Sequence, residues 1–371
     1  SIKPHIIHLN DGHTGLIALF LKTELSYRNG PLFKDVKTAL TIHNAGKGYQ
    51  QIFGIERFEE LDIGEEHRDK VIWNGMLNLT YAALNLSDIC NTVSPDYAET
   101  LKNDGEGLGE LFRSKKIFGI LNGIDTEYWR MDELKKMITK KGLRKIKEGA
   151  KRKLIEEIAK RSGVKISADR LTIVIPRRFA GQKGFDLFLP YAELICKGRK
   201  EGGMGAQFVV LGRASLRDPI GRKWIEECKS LSERLKGKFV FIYGFDEELA
   251  KLMYAGGDLL LYPSLPGKEP CGTGYMMAMV NGTPTLGTDT GGMVDVIHEF
   301  DPSTGKGNGF KIEKERYSSS TLLEKLRKAS DIFYNKPEKW LQLIWNAYRT
   351  KVDIEKTAKE YVKKVYLPLL T

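Results

Sequence analysis

The strand-like run LTIVIP ends in two arginines, and Lys183 follows Arg178 by five residues in IPRRFAGQKGFDLF. Cations at that spacing can straddle a diphosphate, arginine through its planar fork and lysine as a compact point charge. The competing reading is a solvated basic loop. Downstream, YPSLPGKEPCGTGYMMAMV carries one carboxylate, Glu269, in a loop that runs into a helical pattern. Gly272, Thr273 and Gly274 let a ligand approach the N–H groups at that helix start, which hold an anion without any side chain. Glu269 suits hydrogen bonding to sugar hydroxyls, and equally suits capping the helix. A second glycine pair, Gly291 and Gly292 in TDTGGMVDV, marks another strand-to-helix turn, a weak signal alone because such turns are mostly tight connections.

In the first half, NDGHTGL places Asp11 and His13 after one strand-like run, and TIHNAGKGYQ places His43 and Asn44 after another. One such histidine reads as structural; two at strand ends leave structure and chemistry evenly matched. No Ser–His–Asp order can be assigned, and neither HExxH nor a P-loop is present. GEGLGE at 105–110 follows no strand and is discounted.

The elements that must hold these residues alternate between short β-branched runs and longer amphipathic segments. PHIIHLN, KTALTIHN and DICNTVS form one cluster of strands; LTIVIPRR, QFVVLG, KFVFIYG and DLLLYPS form another. This pattern predicts parallel sheets with helical crossovers, in two doubly wound domains facing a cleft. Ligands of such sheets bind beyond the carboxyl ends of the strands, which selects Asp11, His13, His43, Arg178, Gly212 and Glu269. The divisions fall at 1–117, 118–346 and 347–371. Between the clusters, residues 134–161 mix Lys and Arg with helically spaced Leu, Ile and Met, and read as a surface helix pair. Residues 339–370 read as one helix packing back across both domains.

The chain has 371 residues, 41% of them hydrophobic, which suits two α/β cores. Its formal charge of +11, from 59 basic and 48 acidic residues, favours anionic ligands, or is simply a solvated surface. No aromatic residues interleave with the basic stretch, so no nucleic-acid arm is expected. No apolar run approaches the roughly 20 residues that cross a bilayer, so no membrane association is expected. Cys90, Cys196, Cys228 and Cys271 lie far apart without CxxC spacing, which argues against disulfides and zinc and for a cytoplasmic protein. The first residue is Ser1, and no signal-peptide pattern follows it, so the chain reads as a possible fragment.

Taken in order, these motifs resemble one family. PHIIHLNDGHTGL is similar to a segment ending in His-Asp-Trp-His, TIHNAGKGYQ to Thr-Ile-His-Asn with Tyr-Gln-Gly, and NTVSPDYAET to Thr-Val-Ser-Pro-x-Tyr-Ala. FGILNGIDTEYW, RRFAGQKGFD, YPSLPGKEPCG and TGGMVDV complete a colinear series shared with bacterial and archaeal glycogen synthases and plant starch synthases. The resemblance implies the GT-B fold, with two Rossmann-like domains. It also implies retaining transfer of glucose from ADP-glucose or UDP-glucose to the non-reducing 4-hydroxyl of an α-1,4-glucan, with no cofactor and no metal. Arg178 and Lys183 would then hold the donor pyrophosphate, and Glu269 the glucosyl hydroxyls. The backbone from Cys271 through Gly272 to Thr273 would meet sugar and phosphate. His43 would turn its carbonyl to the anomeric centre, and Asp11 would help place glucose or acceptor. Asn122 and the Gly291–Gly292 turn would line the cleft, Phe245 in YGFDEE would stack on the base, and His13, Asn44 and Tyr49 would serve the acceptor.

This sequence departs from the family's pattern. The Lys-x-Gly-Gly-Leu loop and first strands expected of the family do not precede Ser1, so the N-terminal domain reads as incomplete. A homo-oligomer, or association with a separate N-terminal part, fits that reading. Gly12 replaces Trp, Gln51 replaces Gly, and Thr273 and Tyr275 follow the Glu-Pro-Cys-Gly motif where leucine and glutamine are usual. The alternatives are an α-glucan phosphorylase-like transferase, whose cofactor-lysine motif is not seen, and a non-catalytic glucan-binding subunit. Two domains joined by two crossings predict a hinge that closes on the donor.

Overall fold

The computed structural model describes residues 3–371, which divide into two compact units: 3–122 with Glu355–Thr371, and Gly123–Ile354. The divisions fall a few residues beyond 117 and 346, the sequence-read positions. In the first unit, β1 (Ile6–Asn10), β2 (Lys37–Ile42), β3 (Ile89–Thr92) and β4 (Phe118–Gly119) form a parallel sheet in the order β1-β2-β3-β4. The run KTALTI is buried at every position after Lys37, as an inner strand covered on both faces must be. A small antiparallel ribbon of Ile52–Phe53, Met76–Asn78 and Ile72–Trp73 is added to this unit and was not signalled by its sequence.

The second unit carries a six-stranded parallel sheet built from β5 (Leu171–Pro176), β6 (Ala206–Gly212), β7 (Phe239–Tyr243), β8 (Leu259–Tyr262), β9 (Thr285–Thr288) and β10 (Gly309–Ile312). Its order is β7-β6-β5-β8-β9-β10. Neighbours β5 and β8 pair Ile173 with Leu259 and Val174 with Leu260. The chain leaves β5 toward one edge and β8 toward the other, so a crevice opens between their carboxyl ends. β10 is buried by its place beside β9, although GFKI has no alternating or continuous apolar pattern.

Two sequence expectations need correction. Residues 134–161 do not form a helix pair: after a short turn, one helix runs from Lys140 to Ser162. Thr139 caps its start by accepting from Gly142 N, and Gly163 closes it at φ 68°. Gly142 and Gly149 need no positive φ, and about 1 kcal/mol for an internal glycine does not break a helix packed along its length. Nor is this helix simply a solvated face. Lys147 is buried with its ammonium on Gly257 O (2.8 Å) and Thr283 Oγ1 (2.5 Å), and Lys151 pairs with Asp258 at 2.6 Å. The C-terminal segment likewise splits in two. The helix Pro337–Tyr348 buries Trp340, Leu343 and Ile344 in the second unit's core. At 352–354 the chain pairs instead with Ile124, through Ile124 N to Val352 O (2.8 Å) and Ile354 N to Ile124 O (2.9 Å). The helix Ile354–Tyr361 then packs on the first unit, where Tyr361, Val365 and Tyr366 meet Ala39 and Ile120.

Candidate active site

The crevice between β5 and β8 gathers the second unit's polar residues. The loop after β5 carries Arg177, Arg178 and the turn Gly181–Lys183, and its Gly184, at φ 71°, lies directly on the end of β8. A Cβ there would stand 1.8 Å from Pro263 O, so only glycine permits the approach. Leu265 N donates to Gln182 O at 2.9 Å and ties the two loops together.

Glu269 is 6% exposed, and its Oε2 accepts from three donors: Lys183 Nζ (2.6 Å), Ser264 Oγ (2.7 Å) and Arg177 Nη2 (3.0 Å). Arg177 Nη2 also donates to Ser264 Oγ at 3.0 Å, and its guanidinium lies 3.7 Å from the Tyr262 ring centroid. Burial pushes the Glu269 carboxyl up, but the charges of Lys183 and Arg177, with hydrogen bonds from Lys183 and Ser264, outweigh it and hold the pKa below the ordinary carboxylate range. Burial, with the repulsion of Arg177, pulls the Lys183 ammonium below its ordinary range despite the attraction of Glu269.

A cavity of about 530 Å³ lies at this crevice, a volume suited to a small ligand. Arg178, Lys183, Phe245 and Thr273 all stand in its wall, together with Arg177. Arg178 is exposed, and Phe245 is 76% exposed with the Arg213 guanidinium 5.8 Å from its ring centroid. Glu269 lies behind the wall, reached through Lys183 and Arg177. Cys271, Gly272, Gly291 and Gly292 also lie outside the lining and shape the turns behind it. Gly272 has φ 67° and packs on Tyr262, Thr273 precedes the short helix Gly274–Met279, and Gly292 opens the helix Gly292–Val296.

Asp11, His13, His43, Asn44, Tyr49 and Asn122 belong to the first unit. Asp11 has a left-handed φ of 53°, uncommon without glycine, and its Oδ1 accepts from His43 N (2.6 Å) and Asn44 N (3.2 Å). The carboxylate is thus committed to the backbone that presents His43. The His43 ring bonds Asn10 Oδ1 through Nε2 (2.8 Å), and Asn44 Oδ1 accepts from Gly46 N (2.8 Å). Tyr49 N donates to Gly46 O (2.7 Å) within the same turn, whereas His13 pairs with Gln51 (3.0 Å) and Asn122 N donates to Val93 O (3.2 Å). Loss of both charge-assisted bonds in Asp11→Ala should lower unfolding stability by about 2–3 kcal/mol, and Asp11→Asn should lose less. Urea denaturation of the two variants checks the order.

Sequence reading missed Arg177 and Ser264, and in the first unit Asn10 and Gln51. The Arg-Arg pair is the one available signal. Neighbouring side chains leaving a strand point to opposite sides, so one arginine turns inward, but the sequence does not say which. Among the described residues no His, Cys, Asp and Glu cluster could hold a metal ion, and no helix is long and apolar enough to cross a membrane.

Residues 1–114 match the family described as starch synthase catalytic domain, and residues 170–328 match glycosyl transferases group 1. The glycogen synthase of Thermotoga maritima is 34% identical over 370 residues, covering 98% of this chain and 71% of its own length. That of Fervidobacterium nodosum is 35% identical over 364 residues, covering 96% and 70%. The catalytic domain of starch synthase IV from Arabidopsis thaliana, solved with ADP and acarbose, superposes with a TM-score of 0.82 at 25% identity, over 100% of this chain and 74% of that one.

Proposed function

The chain belongs to the glycogen synthase and starch synthase family of glucosyltransferases, with the GT-B fold, and from that premise we propose that it extends an α-1,4-glucan from ADP-glucose or UDP-glucose. The observation that carries the donor assignment is the cluster of Arg177, Arg178 and Lys183 at the crevice between β5 and β8, beside a buried carboxylate and an exposed aromatic ring. Lys183 and Arg178 meet the diphosphate, Glu269 orients the glucosyl hydroxyls, and Phe245 offers its face to the base. Cys271, Gly272 and Thr273 shape the turn beside them. The first unit serves the acceptor through His13, Asn44 and Tyr49, with Asp11 holding the His43 turn.

In the reaction, the bond from the anomeric carbon to the diphosphate oxygen breaks, and the acceptor 4-hydroxyl attacks from the same face. Its proton passes to the departing phosphate oxygen as the new glycosidic bond forms. Charge accumulates on the diphosphate, so fixed cations aimed there supply the largest stabilisation. These side chains perform the neutralisation, and the reading requires no metal or organic cofactor.

Incubation with ADP-glucose, UDP-glucose and a malto-oligosaccharide tests the proposal. The expected result is free nucleoside diphosphate in step with chain growth at the non-reducing end. Glucose 1-phosphate formed from glucan and phosphate would establish a phosphorylase instead. Glucan binding without either reaction would establish a non-catalytic subunit.

A further inference from the structure

Arg177 is a buried guanidinium in the donor site, costly to desolvate, and the family-based assignment gives it no task. Its side chain is 6% exposed, and its Nε and Nη1 are enclosed with no hydrogen-bond partner. Only the Nη2 bonds to Ser264 and Glu269 and the Tyr262 ring face offset that burial. Lys183 reaches the same Glu269 oxygen, and both cations line the cavity, but the Lys183 chain is flexible and bonds only through its terminal ammonium. The two cations therefore differ in freedom: Arg177 is fastened on one face and one edge, whereas Lys183 can leave.

Resting on the glucosyl-transfer reading above, we propose that Arg177 is a positioning residue, a fixed counter-ion that holds Glu269 in place while Lys183 passes from that carboxylate to the donor diphosphate. A buried carboxylate that loses its ion-pair partner is left uncompensated and strongly destabilised. Ser264 supplies only a neutral hydroxyl. With Arg177 in place Glu269 keeps a full positive charge beside it throughout, and it remains ionised to accept from the sugar hydroxyls. The titratable and charged groups that face it are Arg177 at the end of β5, Lys183 on the following loop and Tyr262 on β8; Arg178 acts on Lys183, and Cys271 on Tyr262. Of these only Arg177 is both charged and held.

The test is the pH dependence of kcat at saturating donor, which reports the bound complex. Arg177→Met should reduce kcat and move its acid limb up by about 1–3 pH units, because the carboxylate has lost its remaining cation. Arg177→Lys, which restores the charge, should return the limb toward its parental position. Lys183→Met should reduce kcat and leave the acid limb unmoved, since Lys183 is no longer on Glu269 in the complex. An unmoved limb in a folded Arg177→Met protein, or a displaced limb in Lys183→Met, overturns the inference. If circular dichroism shows Arg177→Met unfolded, the limb of Lys183→Met decides alone. A parent that transfers no glucose overturns the function and this inference together, whereas normal transfer with either adverse limb overturns this inference only.

Discussion

Lys183→Met should lower kcat about 30–1,000-fold and leave the protein folded. The magnitude follows from removing one preorganised donor from the group on which negative charge builds, worth about 2–4 kcal/mol of barrier. The side chain borders the cavity and its ion pair is shared with Arg177, so its loss leaves Glu269 one cation in the resting enzyme. Lys183→Arg separates charge from proton. Burial and Arg177 depress the Lys183 pKa, so the ammonium in the free enzyme loses its proton at a lower pH than an exposed lysine, and kcat/KM falls as pH rises through that value. Arginine does not deprotonate in this range, and Lys183→Arg therefore loses the basic limb whatever its residual rate. Steady-state kinetics from neutral to alkaline pH check both statements. A Lys183→Met enzyme within threefold of the parent would remove Lys183 from the leaving-group site. Arg178→Ala should have the smaller effect, because its exposed guanidinium acts through more strongly screened charge.

Much of this site was legible before any coordinates. Strand ends carry the ligands of a doubly wound sheet, and that rule alone selected the loops of Arg178, Lys183 and Glu269 from β-branched runs and their punctuation. The sequence could not say which of two adjacent arginines turns inward, because that depends on the twist at the end of β5 and on what β8 places beside it. It also presented Lys147 and Lys151 as surface charge, whereas the tertiary structure supplies Lys147 with buried oxygens and Lys151 with a half-buried carboxylate, all from residues more than a hundred positions away. The strand-end position singles out Asp11 and the family resemblance gives it a placing role, while the bonds that the sequence does not show engage its carboxylate on the backbone of residues 43 and 44. β10 lacked a pattern of its own and takes its conformation from β9. In each case the missing information is a contact between segments distant in the chain, which composition and period do not encode.

The same principle makes a residue with no side chain a sensitive element of the site. Gly291 has φ 55° and ψ −141°, a conformation that L residues rarely adopt. A Cβ there would stand 2.0 Å from Glu269 O and 2.7 Å from Pro270 O, both backbone atoms that no rotamer change can move aside. Gly291→Ala must therefore displace either its own turn or the 269–270 segment, and the second choice carries the Glu269 carboxylate away from Lys183, Arg177 and Ser264. A shift of about 1 Å at a positioning group costs on the order of 10²-fold in rate, and left-handed strain adds about 1–3 kcal/mol of instability. The comparison variant is Gly75→Ala in the first unit, at φ 74° with no atom within 4 Å of its Cβ, which has the strain without the clash. Thermal melting of the two variants should show Gly75→Ala lowered modestly with kcat unchanged, and Gly291→Ala lowered further with kcat reduced about a hundredfold. If Gly291→Ala turned over at the parental rate, the close approach of the glycine turn to Glu269 would have no part in holding the carboxylate where the sugar needs it.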